Sequence, residues 1–60
     1  KNVYKGYWKK GKREGFGVFF YSNGCRFEGY FFENLKEGPG ISIDEQGVAR
    51  THIYKNNRLT

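Results

Sequence analysis

Methionine is absent from the 60 residues; cysteine, histidine, proline and tryptophan occur once each, and no apolar run exceeds a handful of positions. Each shortage excludes something. A lone cysteine, Cys25, has no internal disulfide partner, and with His52 the only histidine there is no cluster at metal-ligand spacing, so neither metal nor cofactor is expected. No segment approaches the ~20 apolar residues that span a bilayer as a helix, and the first residues carry no signal-peptide pattern. With the single thiol, this points to an intracellular, cytoplasmic chain. The missing initiator methionine points to a fragment of a longer protein. Catalysis also lacks parts: no Ser, Cys or acid can be set beside His52, and Cys25 reads as a small buried hydrophobe rather than a nucleophile. No catalytic residue and no small-molecule substrate are expected.

What the chain does hold is six Phe, five Tyr, one Trp and nine Gly. Aromatics with glycine favour strands and turns over a helical bundle. A domain this small buries only about 60% of its unfolded surface, so its core is thin or shared with a partner.

Sliding the sequence against itself by 23 positions exposes its organisation. Tyr4 meets Phe27, Gly6 meets Gly29, Trp8 meets Phe31, and Arg13-Glu14-Gly15 meets Lys36-Glu37-Gly38. Six of 23 positions are identical between residues 4–26 and 27–49, where ordinary residue frequencies give roughly one or two. A partial third register from 50 to 60 carries Tyr54 at the Trp8 position. Arg50 and His52 replace its aromatic and glycine, so this stretch reads as a capping repeat.

Inside each unit the pattern has period two. Tyr4, Gly6 and Trp8 alternate with Lys5, Tyr7 and Lys9, which places the two sets on opposite faces of a strand. Turn-rich stretches near 10–14, 22–24, 33–37 and 44–47 separate five strands, and Asn23-Gly24 is the strongest signal for a tight hairpin. The expected fold is all-β, an open antiparallel meander of consecutive hairpins. Glycine among rings then has a purpose: a residue without Cβ leaves a floor on which a neighbouring ring can lie. Gly6, Gly15, Gly17, Gly29, Gly38 and Gly40 are assigned that structural role. Pro39 lacks a backbone donor and suits an edge or first strand position.

Tyr4-Lys5-Gly6-Tyr7-Trp8 with Gly11-Lys12-Arg13-Glu14-Gly15-Phe16-Gly17, repeated as Phe27-Glu28-Gly29-Tyr30-Phe31 with Leu35-Lys36-Glu37-Gly38-Pro39-Gly40, resembles the MORN (membrane occupation and recognition nexus) repeat. The resemblance spans residues 4 to about 58, about two and a half repeats. It implies an elongated single sheet that serves as a non-catalytic interaction module, in scaffolds of the cytoskeleton, cilia and membrane junctions or beside lipid kinases and methyltransferases. Asn34 departs from the pattern by replacing a glycine, mildly, because Asn tolerates positive φ.

Two surfaces are candidates for function. The rings of Tyr4, Trp8, Phe27, Phe31 and Tyr54 share a face and form a shallow groove for a protein partner. Lys9, Lys10, Lys12 and Arg13 cluster at one turn and suit an acidic partner or an acidic phospholipid headgroup such as a phosphoinositide. The net charge of +5 is uneven: residues 1–26 carry +6, 27–49 carry −4, and 50–60 carry +3. A chain shaped to lie flat on anionic lipid would repeat its basic face in every unit, which ranks the protein partner above the membrane. Nucleic acid, stacking on exposed rings beside basic residues, ranks last.

Overall fold

The computed structural model describes residues 1–59. Its strands are β1 (Val3–Lys9), β2 (Lys12–Phe20), β3 (Arg26–Phe32), β4 (Leu35–Ile43), β5 (Ala49–Lys55) and β6 (Arg58–Leu59). They form one antiparallel sheet in the order β1-β2-β3-β4-β5-β6. Every strand pairs with its neighbour in sequence, as a meander requires. The single sheet measures 34 × 27 × 14 Å across its Cα atoms, with no second layer to cover either face. A sixth strand, β6, extends the five expected ones.

Turn chemistry differs from the expectation in an instructive way. Three two-residue turns, Lys10-Gly11, Glu33-Asn34 and Asn56-Asn57, recur every 23 residues with both central residues at positive φ, between 49° and 78°. This is the type I′ geometry, whose twist matches that of the flanking strands. Asn23-Gly24 is not a turn of that kind. Tyr21 C=O accepts from the Gly24 N–H (3.2 Å), Tyr21 N–H donates to Cys25 C=O (2.9 Å), and only Gly24, at φ 95°, is left-handed. The result is a three-residue loop closed by a glycine bulge. Asp44 to Val48 repeats it, with Asp44 Oδ1 accepting from the Gln46 and Val48 N–H groups at 2.9 Å each.

The type I′ turns also tie one unit to the next. Asn34 Oδ1 accepts from the Arg13 N–H (2.9 Å), and Asn34 N–H returns a bond to Arg13 C=O (3.1 Å). Twenty-three residues on, Asn57 makes the same pair with Lys36, at 3.3 and 2.8 Å. Glu37 Oε1 accepts from the Asn56 N–H at 2.9 Å, so this repeated acid serves a turn.

The six assigned glycines divide into two groups. A Cβ on Gly6 would meet Tyr4 Oη at 2.6 Å, and one on Gly29 would meet Phe27 Cζ at 2.7 Å; Gly17 and Gly40 lie under the same two rings. Gly6 pairs with Gly17 and Gly29 with Gly40, so each ring rests on a pair of bare residues from adjacent strands. Gly15 and Gly38 are not floors. Their space is open to a Cβ in ordinary contact or none, but φ values of 82° and 85° require glycine. Each lies where the pairing register slips, between Gly6/Trp8 and between Gly29/Phe31, and forms a bulge. Pro39 is placed mid-strand in the interior strand β4, not at an edge. The bulge accommodates it, because the ladder is already broken toward β3 at that point.

Candidate functional site

Alternation about the register gives the sheet two unlike faces. On the ring face Phe27 is 1% exposed and Phe31 4%, and these are the buried hydrophobic side chains among the described residues. Full burial of a Phe is worth about 1.5–3 kcal/mol, so these two rings are the core of each neighbouring hairpin. Tyr4 meets Phe31 edge-on at 5.3 Å, Phe31 meets Phe27 at 5.7 Å, and Phe27 meets Tyr54 at 5.4 Å, all near perpendicular. Trp8 extends the chain of rings at 5.0 Å from Tyr4. Edge-to-face pairs of this kind add about 0.5–1.5 kcal/mol beyond burial.

Two cations roof these rings. The Arg13 guanidinium lies 5.3 Å from the centroids of Phe19 and Phe31 and 5.7 Å from Tyr4. Its Nε and Nη2 donate to Asn34 Oδ1 (3.2 Å) and Asn34 C=O (2.9 Å). Lys36, at the equivalent position, holds its ammonium 4.5 Å from Phe27, 5.0 Å from Tyr54 and 5.8 Å from Tyr21. A cation over ring faces is attracted by their quadrupoles. Burial pushes the Tyr4 phenol above its usual pKa of 10.0, and the charge of Arg13 opposes the rise.

The five expected ring residues are therefore brought together, but they do not form an open groove of five. Phe27 and Phe31 are floor, Tyr4 and Tyr54 are half-buried, and Trp8, 57% exposed, stands proud of the row. His52 sits opposite Gly40 at a glycine position and meets Tyr54 edge-on at 5.9 Å. Lys9, Lys10 and Lys12 gather at the first type I′ turn and are exposed. Arg13 is separated from them by its commitment to the rings and to Asn34. The meander places the third such turn at the same end of the sheet, which adds Lys55 and Arg58 to that basic edge.

The opposite face is where apolar surface meets water. Phe16, Tyr30 and Ile53 are 44%, 49% and 60% exposed. With Pro39 and Ile41, and Leu59 on the edge strand, they line an open hollow of about 770 Å³. Sequence reasoning passed over this face, although the alternation that selected Tyr4 and Trp8 equally selects their outward neighbours. It also passed over the Arg13 and Lys36 roof, for which the signal was a cation recurring 23 residues apart. Among the described residues no group of three or more His, Cys, Asp or Glu comes together, and no helix is long and apolar enough to cross a membrane.

A one-layer sheet of hairpins in 23-residue units, with paired glycines under aromatic rings, defines a β-hairpin repeat protein. The MORN repeat profile matches residues 4–26 and 27–47, consecutively and over more than half the chain, and the chain belongs to the MORN repeat family. It is also similar to alsin of Rattus norvegicus, Mus musculus and Homo sapiens, each 47% identical over 38 residues, 63% of this chain. The chain spans about 2% of the length of these relatives.

Proposed function

We propose that this chain is a non-catalytic protein-interaction module, a scaffold segment that binds a partner on its sheet surface. One observation carries the reading: among the described residues two large apolar side chains are buried, whereas twelve, Trp8 among them, are exposed on a one-layer sheet. Exposed apolar area of that extent marks an interaction surface in a water-soluble protein. On the ring face Trp8 is the anchor beside Tyr4, Tyr54 closes the far end of the row, and Phe27 and Phe31 fix the plane on which a partner segment lies. Tryptophan is the side chain most often found at the energetic centre of such contacts. Family membership supports an interaction role for protein or membrane partners.

Affinity capture with the wild-type chain and with Trp8→Ser tests this reading. The same partner recovered equally with both proteins, each folded by circular dichroism, contradicts it. A second reading, binding of acidic phospholipid headgroups, is favoured by the basic edge at the type I′ turns, where Lys9, Lys10 and Lys12 are joined by Lys55 and Arg58. Sedimentation with phosphoinositide-containing liposomes, lost when Lys9, Lys10 and Lys12 become Glu, is its signature. Wild-type protein that stays in the supernatant removes it.

A further inference from the structure

We propose that the face opposite the rings is a second docking surface, whose occupant is an acidic amphipathic helix of a partner protein. Register and alternation bring three pairs to this face at its turn end, one at each type I′ turn: Lys9 with Lys12, Phe32 with Leu35, and Lys55 with Arg58. The staggered register sets Glu14 beside Phe32 and Glu37 beside Lys55, and Glu37 is committed to the Asn56 N–H, so the four cations outnumber the carboxylates between them. The adjoining rows hold the exposed Phe16, Tyr30 and Ile53 around the open hollow.

Charge selects the occupant's sign. Among the described residues the one ion pair is Arg26 Nε to Glu28 Oε2, at 2.8 Å. Glu28 is the carboxylate lining the hollow and is paired with Arg26, while Lys9, Lys12, Lys55 and Arg58 form no ion pair among the described residues. A partner with leucine-like side chains toward the hollow and carboxylates toward the turn end satisfies both halves of the surface, and its charge is opposite to the net +5 of the chain.

Backbone accounting selects its conformation. A segment lying on the face of a sheet, rather than along an edge, receives no backbone hydrogen bonds from the strands beneath. It must satisfy its own N–H and C=O groups, which a helix does. Shape favours a helix over a bilayer: the hollow is recessed between Phe16, Tyr30 and Ile53, and a side chain can enter it where a flat lipid surface would bridge it.

The test uses a synthetic amphipathic helix with leucine on one face and glutamate on the other, and a twin with lysine in place of each glutamate. Each is titrated into the isotope-labelled 60-residue chain and followed by nuclear magnetic resonance. The glutamate peptide is expected to shift the amides of Phe16, Tyr30 and Ile53, to leave the Trp8 indole unmoved, and to bind about tenfold or more tighter than its twin. Ile53→Ser, and separately Lys9→Glu with Lys12→Glu, each weaken it about tenfold while thermal melting is unchanged. Equal binding of the two peptides, or no binding by the glutamate peptide, overturns the proposal. So does binding of phosphatidylserine vesicles through these residues in place of the peptide. Peptide shifts confined to Trp8 also overturn it, and leave the ring-face reading standing.

Discussion

Phe16 and Tyr30 on one face of the sheet, and Phe27 and Phe31 on the other, make ring pairs of nearly the same kind. Their centroids are 5.6 and 5.7 Å apart and their planes 71° and 86° from parallel. Yet the first pair is nearly half exposed and the second is sealed. Ring–ring contact is therefore not what buries a side chain in a one-layer sheet. The difference lies beneath and above: Phe27 lies on Gly29 and Gly40 and is covered by the Lys36 ammonium, and Phe31 lies under the Arg13 guanidinium. Phe16 and Tyr30 have neither floor nor roof, and their outer surface is left for another molecule.

That contrast can be broken most forcefully by removing one ring from each face. Phe27→Ala is expected to cost about 3–5 kcal/mol in urea unfolding, whereas Phe16→Ala costs under about 1 kcal/mol, since truncation is costly only where a ring fills a sealed site. Similar losses at the two positions would erase the distinction between the faces.

A smaller effect sharpens the division among the glycines. Gly40→Ala drives a methyl into the Phe27 ring and is expected to cost about 1–3 kcal/mol through overpacking, with a change in the near-ultraviolet signal of the displaced rings. Gly38→Ala meets no atom, and it costs about 1–2 kcal/mol through its left-handed backbone alone. Its aromatic spectrum stays as in the wild type. Identical spectra for both variants would mean that Gly40 is no floor.

Smallest is the tie between units. Asn34→Gly keeps a residue that accepts φ 72° but removes the carbonyl that receives the Arg13 N–H. A loss of about 0.5–1.5 kcal/mol is expected, with faster amide exchange at Arg13. Unchanged exchange there would show that the turn, not the side chain, sets the junction.

Much of this architecture was legible because it rests on local and repeated signals. The 23-residue self-match located the units, the period-two alternation located the strands, and glycine recurring among aromatic residues implied rings over bare backbone. The remainder needed three dimensions. Lys10, Glu33 and Asn56 occupy left-handed positions that non-glycine residues seldom take, so their type I′ turns were masked while Asn23-Gly24 drew attention instead. Arg13 reads as one more charge in a basic turn, and only the pairing of β2 with β3 reveals that it spans to Asn34 and covers Phe31. The ring face was found, but burial depends on what sits on a ring as well as under it. The exposed row of Phe16, Tyr30 and Ile53 therefore went unmarked.

Proton resonance of the glycines tests the ring-on-glycine principle most directly, because a ring face shifts the protons it covers upfield. The structure requires upfield Hα signals at Gly6, Gly17, Gly29 and Gly40, with through-space contacts from the last two to the Phe27 ring, and ordinary shifts at Gly38. Ordinary shifts at Gly29 and Gly40, or ring contacts at Gly38 instead, would contradict it.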